Sequence, residues 1–114
     1  MNAARWLPLA SLIAIGCGPG ILPKPTPANI AAMPDTIPCQ HAVKVQGSSD
    51  LEGSKAEHRW LDALYPHHGP WSQGLHVEGE RHFDIFTFTR ANGHATLVCF
   101  DITDTFGHWG TLRF

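Results

Sequence analysis

The chain has 114 residues, with 8 Lys+Arg against 10 Asp+Glu and a formal net charge of -2 when its eight histidines are neutral. At 16% charged and 43% hydrophobic residues it is neither a disordered acidic tail nor a basic nucleic-acid binder, so no nucleic-acid partner is expected. The length excludes a multidomain enzyme and leaves room for one small domain.

Residues 1–16 read as a signal peptide. Arg5 is the only charge, the apolar run Leu7 to Gly16 follows, and a small residue precedes Cys17. A spanning helix needs about 20 apolar residues, and this run is shorter and holds Pro8, so a permanent transmembrane helix is not expected. Ile13-Ala14-Ile15-Gly16-Cys17 resembles the lipobox of bacterial lipoproteins, although Ala14 stands where that family more often has Leu. The resemblance implies lipidation at Cys17, export, and attachment to the bacterial cell envelope, at the outer membrane or cell surface. The alternative is an ordinary signal peptide with a chance cysteine. Cysteine arithmetic favours the lipidated reading, because using Cys17 for the anchor leaves Cys39 and Cys99 as a pair.

Residues 17–38 read as the lipidated cysteine and a Pro-rich tether. Six of the nine prolines fall here, and proline fixes φ and removes donors, so neither a helix nor a central strand is expected. The folded domain is then 39–114. A domain that small gains from a staple. A Cys39–Cys99 disulfide closes a loop of about 60 residues and adds about 4 kcal/mol in the chain-entropy model; the alternative is two free buried thiols.

The alternation from Gln40 to Gln46, with His41, Val43 and Val45 on one face, predicts a half-buried strand. Ser54 followed by Glu57 makes a capping box and predicts a helix from Lys55. Its apolar stripe is Ala56, Trp60, Ala63 and Leu64, with Leu61 at the margin and Glu57, Arg59 and Asp62 facing water. Pro66 ends it at Tyr65. Leu75 and Val77 suggest a short strand closed by a turn at Gly79. Arg81 to Arg90 and His94 to Ile102 then form a hairpin about Asn92-Gly93, the pair favoured in type I′ turns. The tail, with Phe106, Trp109, Leu112 and Phe114, is expected to pack. The fold class is α+β: one helix on a small antiparallel sheet of about four strands.

Glu57-x-x-Trp60-Leu61, Tyr65-Pro66, Gln73-x-Leu75, Asp84, Asn92-Gly93 and Phe100-Asp101-Ile102-Thr103-x-x-Phe106-Gly107 resemble a short bacterial domain of uncharacterised proteins. The resemblance covers about half of the chain and implies no activity. The order of elements is also similar to that of small envelope modules of the PepSY type, which bind or inhibit rather than catalyse; that is a likeness of architecture alone.

A two-residue type I′ turn sets Phe86 opposite Cys99, Asp84 opposite Asp101 and His82 opposite Thr103. Phe86, Phe88, Leu97 and Cys99 would then share one face, and Phe83, Ile85, Val98, Phe100 and Ile102 the other. The facing carboxylates Asp84 and Asp101, with His82 and His108 near, form a speculative metal set. The alternative is a solvated sheet rim at which Arg81 pairs with a carboxylate. The eight histidines, His41, His58, His67, His68, His76, His82, His94 and His108, raise the question of zinc or copper, yet no spacing matches a known ligand frame. There is no phosphate-binding glycine loop and no nucleophile elbow, so no catalytic residue and no cofactor are expected. These readings together describe an uncharacterised lipid-anchored envelope protein whose small domain serves non-catalytic binding or structure, with an envelope protein as partner. The alternative is a metal-binding lipoprotein using the histidines and the Asp84/Asp101 pair.

Overall fold

The computed structural model describes residues 23–107. The leader and Cys17 lie outside this range, as do His108 and the tail residues Trp109, Leu112 and Phe114. The described chain is mixed α+β, with one main helix on an open sheet.

The proline-rich segment departs from the tether reading. Helix α1 spans Pro27–Ala32 and strand β1 spans Thr36–Ile37. Pro27 stands in the first turn of α1, where its missing N–H leaves no bond unmade, and the Thr26 side chain accepts from the Asn29 N–H. Met33 and Ile37 are buried in the core, and the Tyr65 hydroxyl donates to the Pro34 carbonyl at 2.7 Å. The packed body therefore begins upstream of Cys39. Prolines spaced this way exclude a helix interior but permit a helix start and an edge strand.

The strand expected over 40–46 is also broken. A 3₁₀ turn at Cys39–His41 precedes β2, Val43–Lys44. Cys39 is bonded to Cys99, with a sequence separation of 60. Val43 and Val45 are buried, as the alternation predicts, whereas His41 is exposed.

Helix α2 runs over Asp50–Leu64, five residues earlier than Lys55. Its N-cap is Ser49, whose side chain accepts from the Glu52 N–H, while Glu52 reaches back to accept from the Ser48 N–H and hydroxyl. Those bonds hold the Glu52 carboxyl below the usual carboxylate range. Two capping-box spacings lie five residues apart in the sequence, and the upstream one starts the helix. The buried stripe of α2 is Gly53, Glu57, Trp60, Leu61 and Leu64, with Ala56 and Ala63 packed at its edge. Glu57 therefore lies in the core and not in water.

Strands β3 (Ser72–Glu78), β4 (Arg81–Thr89) and β5 (Ala95–Asp101) form an antiparallel meander, with β1 and β2 pairing in parallel with the far side of β5. Helix α2 carries the chain across one face, from the β2 edge to the β3 edge. Gly79, at φ 62, takes the first central position of the β3–β4 turn, where a type II′ turn demands glycine.

The β4–β5 hairpin forms where predicted but in a different register. Asn92 keeps a negative φ and only Gly93 is left-handed, at φ 89, so the turn is not type I′. Arg90 N–H donates to the His94 carbonyl and Gly93 N–H to the Arg90 carbonyl, which closes a three-residue loop. One added loop residue slides the pairing by one, and a slip of one exchanges faces. Phe86 pairs with Val98 and Asp84 with Phe100, while Asp101 lies opposite Phe83. The face under α2 thus carries Phe86, Phe88, Val98 and Phe100, and the reverse face carries Phe83 and Cys99, all of them buried. Each fully buried side chain of this size contributes about 2 kcal/mol through loss of apolar surface to water.

Candidate functional site

The register places Asp84 and Asp101 on opposite faces of the sheet, so they do not form a carboxylate pair. Asp101 is engaged on the reverse face. It accepts from the Thr103 N–H at 3.0 Å, the Thr103 hydroxyl at 2.6 Å and Arg81 Nη2 at 3.0 Å. Burial pushes its carboxyl up, but these bonds outweigh it and hold Asp101 below the usual carboxylate range. Arg81 thus pairs with Asp101, as the rim alternative has it.

The proposed metal set is not assembled. His82 shares a face with Asp84 but not with Asp101, and His108 lies outside the described residues. Among the described residues no three His, Cys, Asp or Glu side chains come together as a metal site. The histidines are dispersed: His58 stacks on Trp71, His76 on Phe83 and His82 on Phe106, and His94 meets Asp35.

Asp84 instead faces the helix, and its partner is Glu57. Glu57 is 1% exposed, and its carboxyl interacts with Asp84. Burial, then the bond to Asp84 and the charge of Asp84, push the Glu57 carboxyl up from 4.5 to about 10. At neutral pH Glu57 therefore keeps its proton. Glu57 Oε2 is buried and has no hydrogen-bond partner among the described residues. Such a group costs about 1–3 kcal/mol, an expense concentrated at functional sites.

Above this pair lies a groove of about 220 Å³, bounded by the first turns of α2, by β3 and β4, and by the turn that follows β5. Asp50 and Asp84 supply its acidic lining, Ser54 and Thr105 add hydroxyls, and Leu75, Ile102 and Phe106 form its apolar walls. Its back is closed by a tight approach: a Cβ on Gly53 would lie 2.8 Å from Thr105 Oγ1. The wall is held by Thr105 and Phe106 amides that donate to the Ile102 carbonyl, and by the Gly107 amide, which donates to Asp50 Oδ1 at 2.9 Å. His82 lies under Phe106, with ring centroids 4.1 Å apart, and its Nδ1 is also buried without a partner among the described residues.

A larger cavity, about 340 Å³, opens near Tyr65, His67 and Arg90. Its cation is already engaged. Arg90 donates to the Met33 and Ile30 carbonyls and to Asp35, and lies over the Tyr65 ring. The Arg90 bond and the nearby His94 hold the Asp35 carboxyl below the usual range despite its partial desolvation.

Reasoning from sequence missed Glu57 because its charge assigned it to the solvent face. The signal was present in the spacing: Gly53, Glu57, Leu61 and Leu64 recur at helical intervals on one stripe. Compared with models of protein families, with curated proteins and with solved structures, the chain matches none.

Proposed function

We propose that the chain is a lipid-anchored envelope protein, held at the outer membrane or cell surface through Cys17, whose small domain binds an extended segment of an envelope protein without catalysis. The observation that carries the reading is the outer edge of the sheet. All seven residues of β3 are exposed, and Leu75 and Val77 are 53% and 50% exposed beside the half-open groove. An outer strand with apolar side chains offers unpaired amides and carbonyls to an added strand. The lipobox resemblance and the disulfide between Cys39 and Cys99 support export, since disulfides persist in oxidising compartments. Among the described residues no helix is long and apolar enough to cross a membrane.

Two measurements test the reading. Cys17→Ser should move the protein from the membrane to the soluble fraction; unchanged membrane retention contradicts the anchor. A photo-crosslinking residue at Leu75 in intact envelopes should give a discrete adduct, with the crosslinked peptide identified by mass spectrometry, that the same residue at Lys55 does not give. Identical adducts from both positions, or none from Leu75, contradict binding at the β3 edge.

A further inference from the structure

This inference rests on the reading of β3 and the adjoining groove as a binding face, and names what the groove receives. We propose that the groove is a socket for a lysine side chain of the docked segment, with Asp84 as its charge partner and the walls of Leu75, Ile102 and Phe106 sheathing its methylene stem.

Three observations converge on this ligand chemistry. The first is charge. The ion pairs among the described residues engage Asp35, Asp62, Asp101 and Asp104, and none supplies a cation to Asp84. Asp84 lines the inner wall of the groove, and a second acidic residue, Asp50, lines the same groove. The second is the buried carboxyl beneath. Glu57 lies on the stripe of α2 that carries Asp50 and Gly53, its carboxyl is turned to Asp84, and its Oε2 is unpartnered among the described residues. A cation beside Asp84 offsets the crowding of acidic groups at this wall.

The third is shape. Apolar walls ending at a carboxylate match a side chain with a long aliphatic stem and a compact charged head. An ammonium brings three donors, which suits an acidic side chain that no cation among the described residues meets. The groove opens beside Leu75, in the middle of β3, so a strand paired along the free edge passes its mouth.

The test uses nuclear magnetic resonance titrations of the oxidised full chain. The probes are n-butylammonium, 1-butanol, and two peptides of alternating Thr and Val differing only by Lys or norleucine at the centre. The expected result is a saturable shift of the Gly53, Asp84 and Phe106 amides with n-butylammonium, at least tenfold weaker with 1-butanol. The Lys peptide should bind at least tenfold tighter than the norleucine peptide, and Asp84→Asn should reduce that ratio to near one. Asp62→Asn, a change at an exposed carboxylate, should leave it intact. Should Asp84→Asn fail to fold, the Lys-to-norleucine ratio on the unaltered chain decides. Equal binding of the two peptides overturns the lysine assignment and leaves the β3 edge as the binding face; absence of any shift from n-butylammonium and from both peptides overturns both.

Discussion

Glu57 shows how one side chain on a buried stripe changes the character of a helix. Below pH 4.5 both the folded and the unfolded chain hold its proton; above that the unfolded chain releases it while the folded chain, with its carboxyl raised to about 10, retains it. Stability is thus fully present below pH 4.5 and falls by about 1.4 kcal/mol per pH unit as pH rises toward 10. Glu57→Gln keeps the shape and a donor for Asp84 without the ionisation. It should raise stability by about 4 kcal/mol at pH 7.5, and by nothing measurable near pH 4. Urea unfolding of the two proteins at both pH values checks this, and an equal difference at the two pH values contradicts it. Asp101 has the opposite sign. Its lowered carboxyl contributes stability at neutral pH that is lost as pH falls, and Asp101→Ala should cost about 1–3 kcal/mol at pH 7, because the Thr103 donors and Arg81 lose their acceptor. Arg81 beside a carboxylate was legible from sequence as one alternative, whereas Asp84 beside Glu57 was not. A carboxylate's surroundings depend on strand register and helix phase, and each was displaced in the expected layout.

At the scale of elements, the signals that survive folding are the periodic ones, and those that mislead are local motifs with more than one reading. The β3–β4 turn and the β4–β5 hairpin stand where pattern puts them, and the helix forms but starts five residues earlier than expected. The capping motif occurs twice, and only burial and the reciprocal bonds of Ser49 and Glu52 decide which copy acts. Ser49→Ala should therefore cost about 1 kcal/mol, whereas Ser54→Ala, inside the helix, should change stability by less than about 0.5 kcal/mol. Thermal unfolding separates the two, and a larger loss at Ser54 would contradict a helix beginning at Asp50. The Asn92-Gly93 pair marked the hairpin correctly, but Asn92 stays right-handed, and the one-residue longer loop carries every side chain of β5 to the other face relative to β4. Gly53 is fixed by close packing rather than by helix propensity. Gly53→Ala should destabilise despite alanine's better propensity, because its Cβ would press on Thr105, whose side chain forms the back of the groove.

The described residues join an interrupted edge strand, a crossover helix and a meander, and two long-range ties fasten the segment before α2 to the sheet and to the end of that helix. The disulfide ties the 3₁₀ turn before β2 to the middle of β5, and Arg90 with Tyr65 ties α1 and the chain after it to the hairpin and the end of α2. Reduction should lower unfolding free energy by about 4 kcal/mol in the chain-entropy model for a loop of this length. Denaturant titrations with and without reductant check it, and coincident curves would contradict a structural role for the bridge. The α+β class was legible from pattern, and the Cys39–Cys99 pair from setting Cys17 aside on its lipobox resemblance. The packing of 27–37 was not, since prolines restrict the backbone without saying what the residues between them touch. Exposed among the described residues are the β3 edge and the groove beside it, with the protonated Glu57 carboxyl buried near its Asp84 wall. The most direct measurement of that central claim is the carbon-13 resonance of the Glu57 carboxyl followed from pH 3 to pH 11. The account predicts that Glu57 stays protonated through pH 7 and titrates near the value of about 10; a midpoint in the ordinary carboxylate range would contradict it.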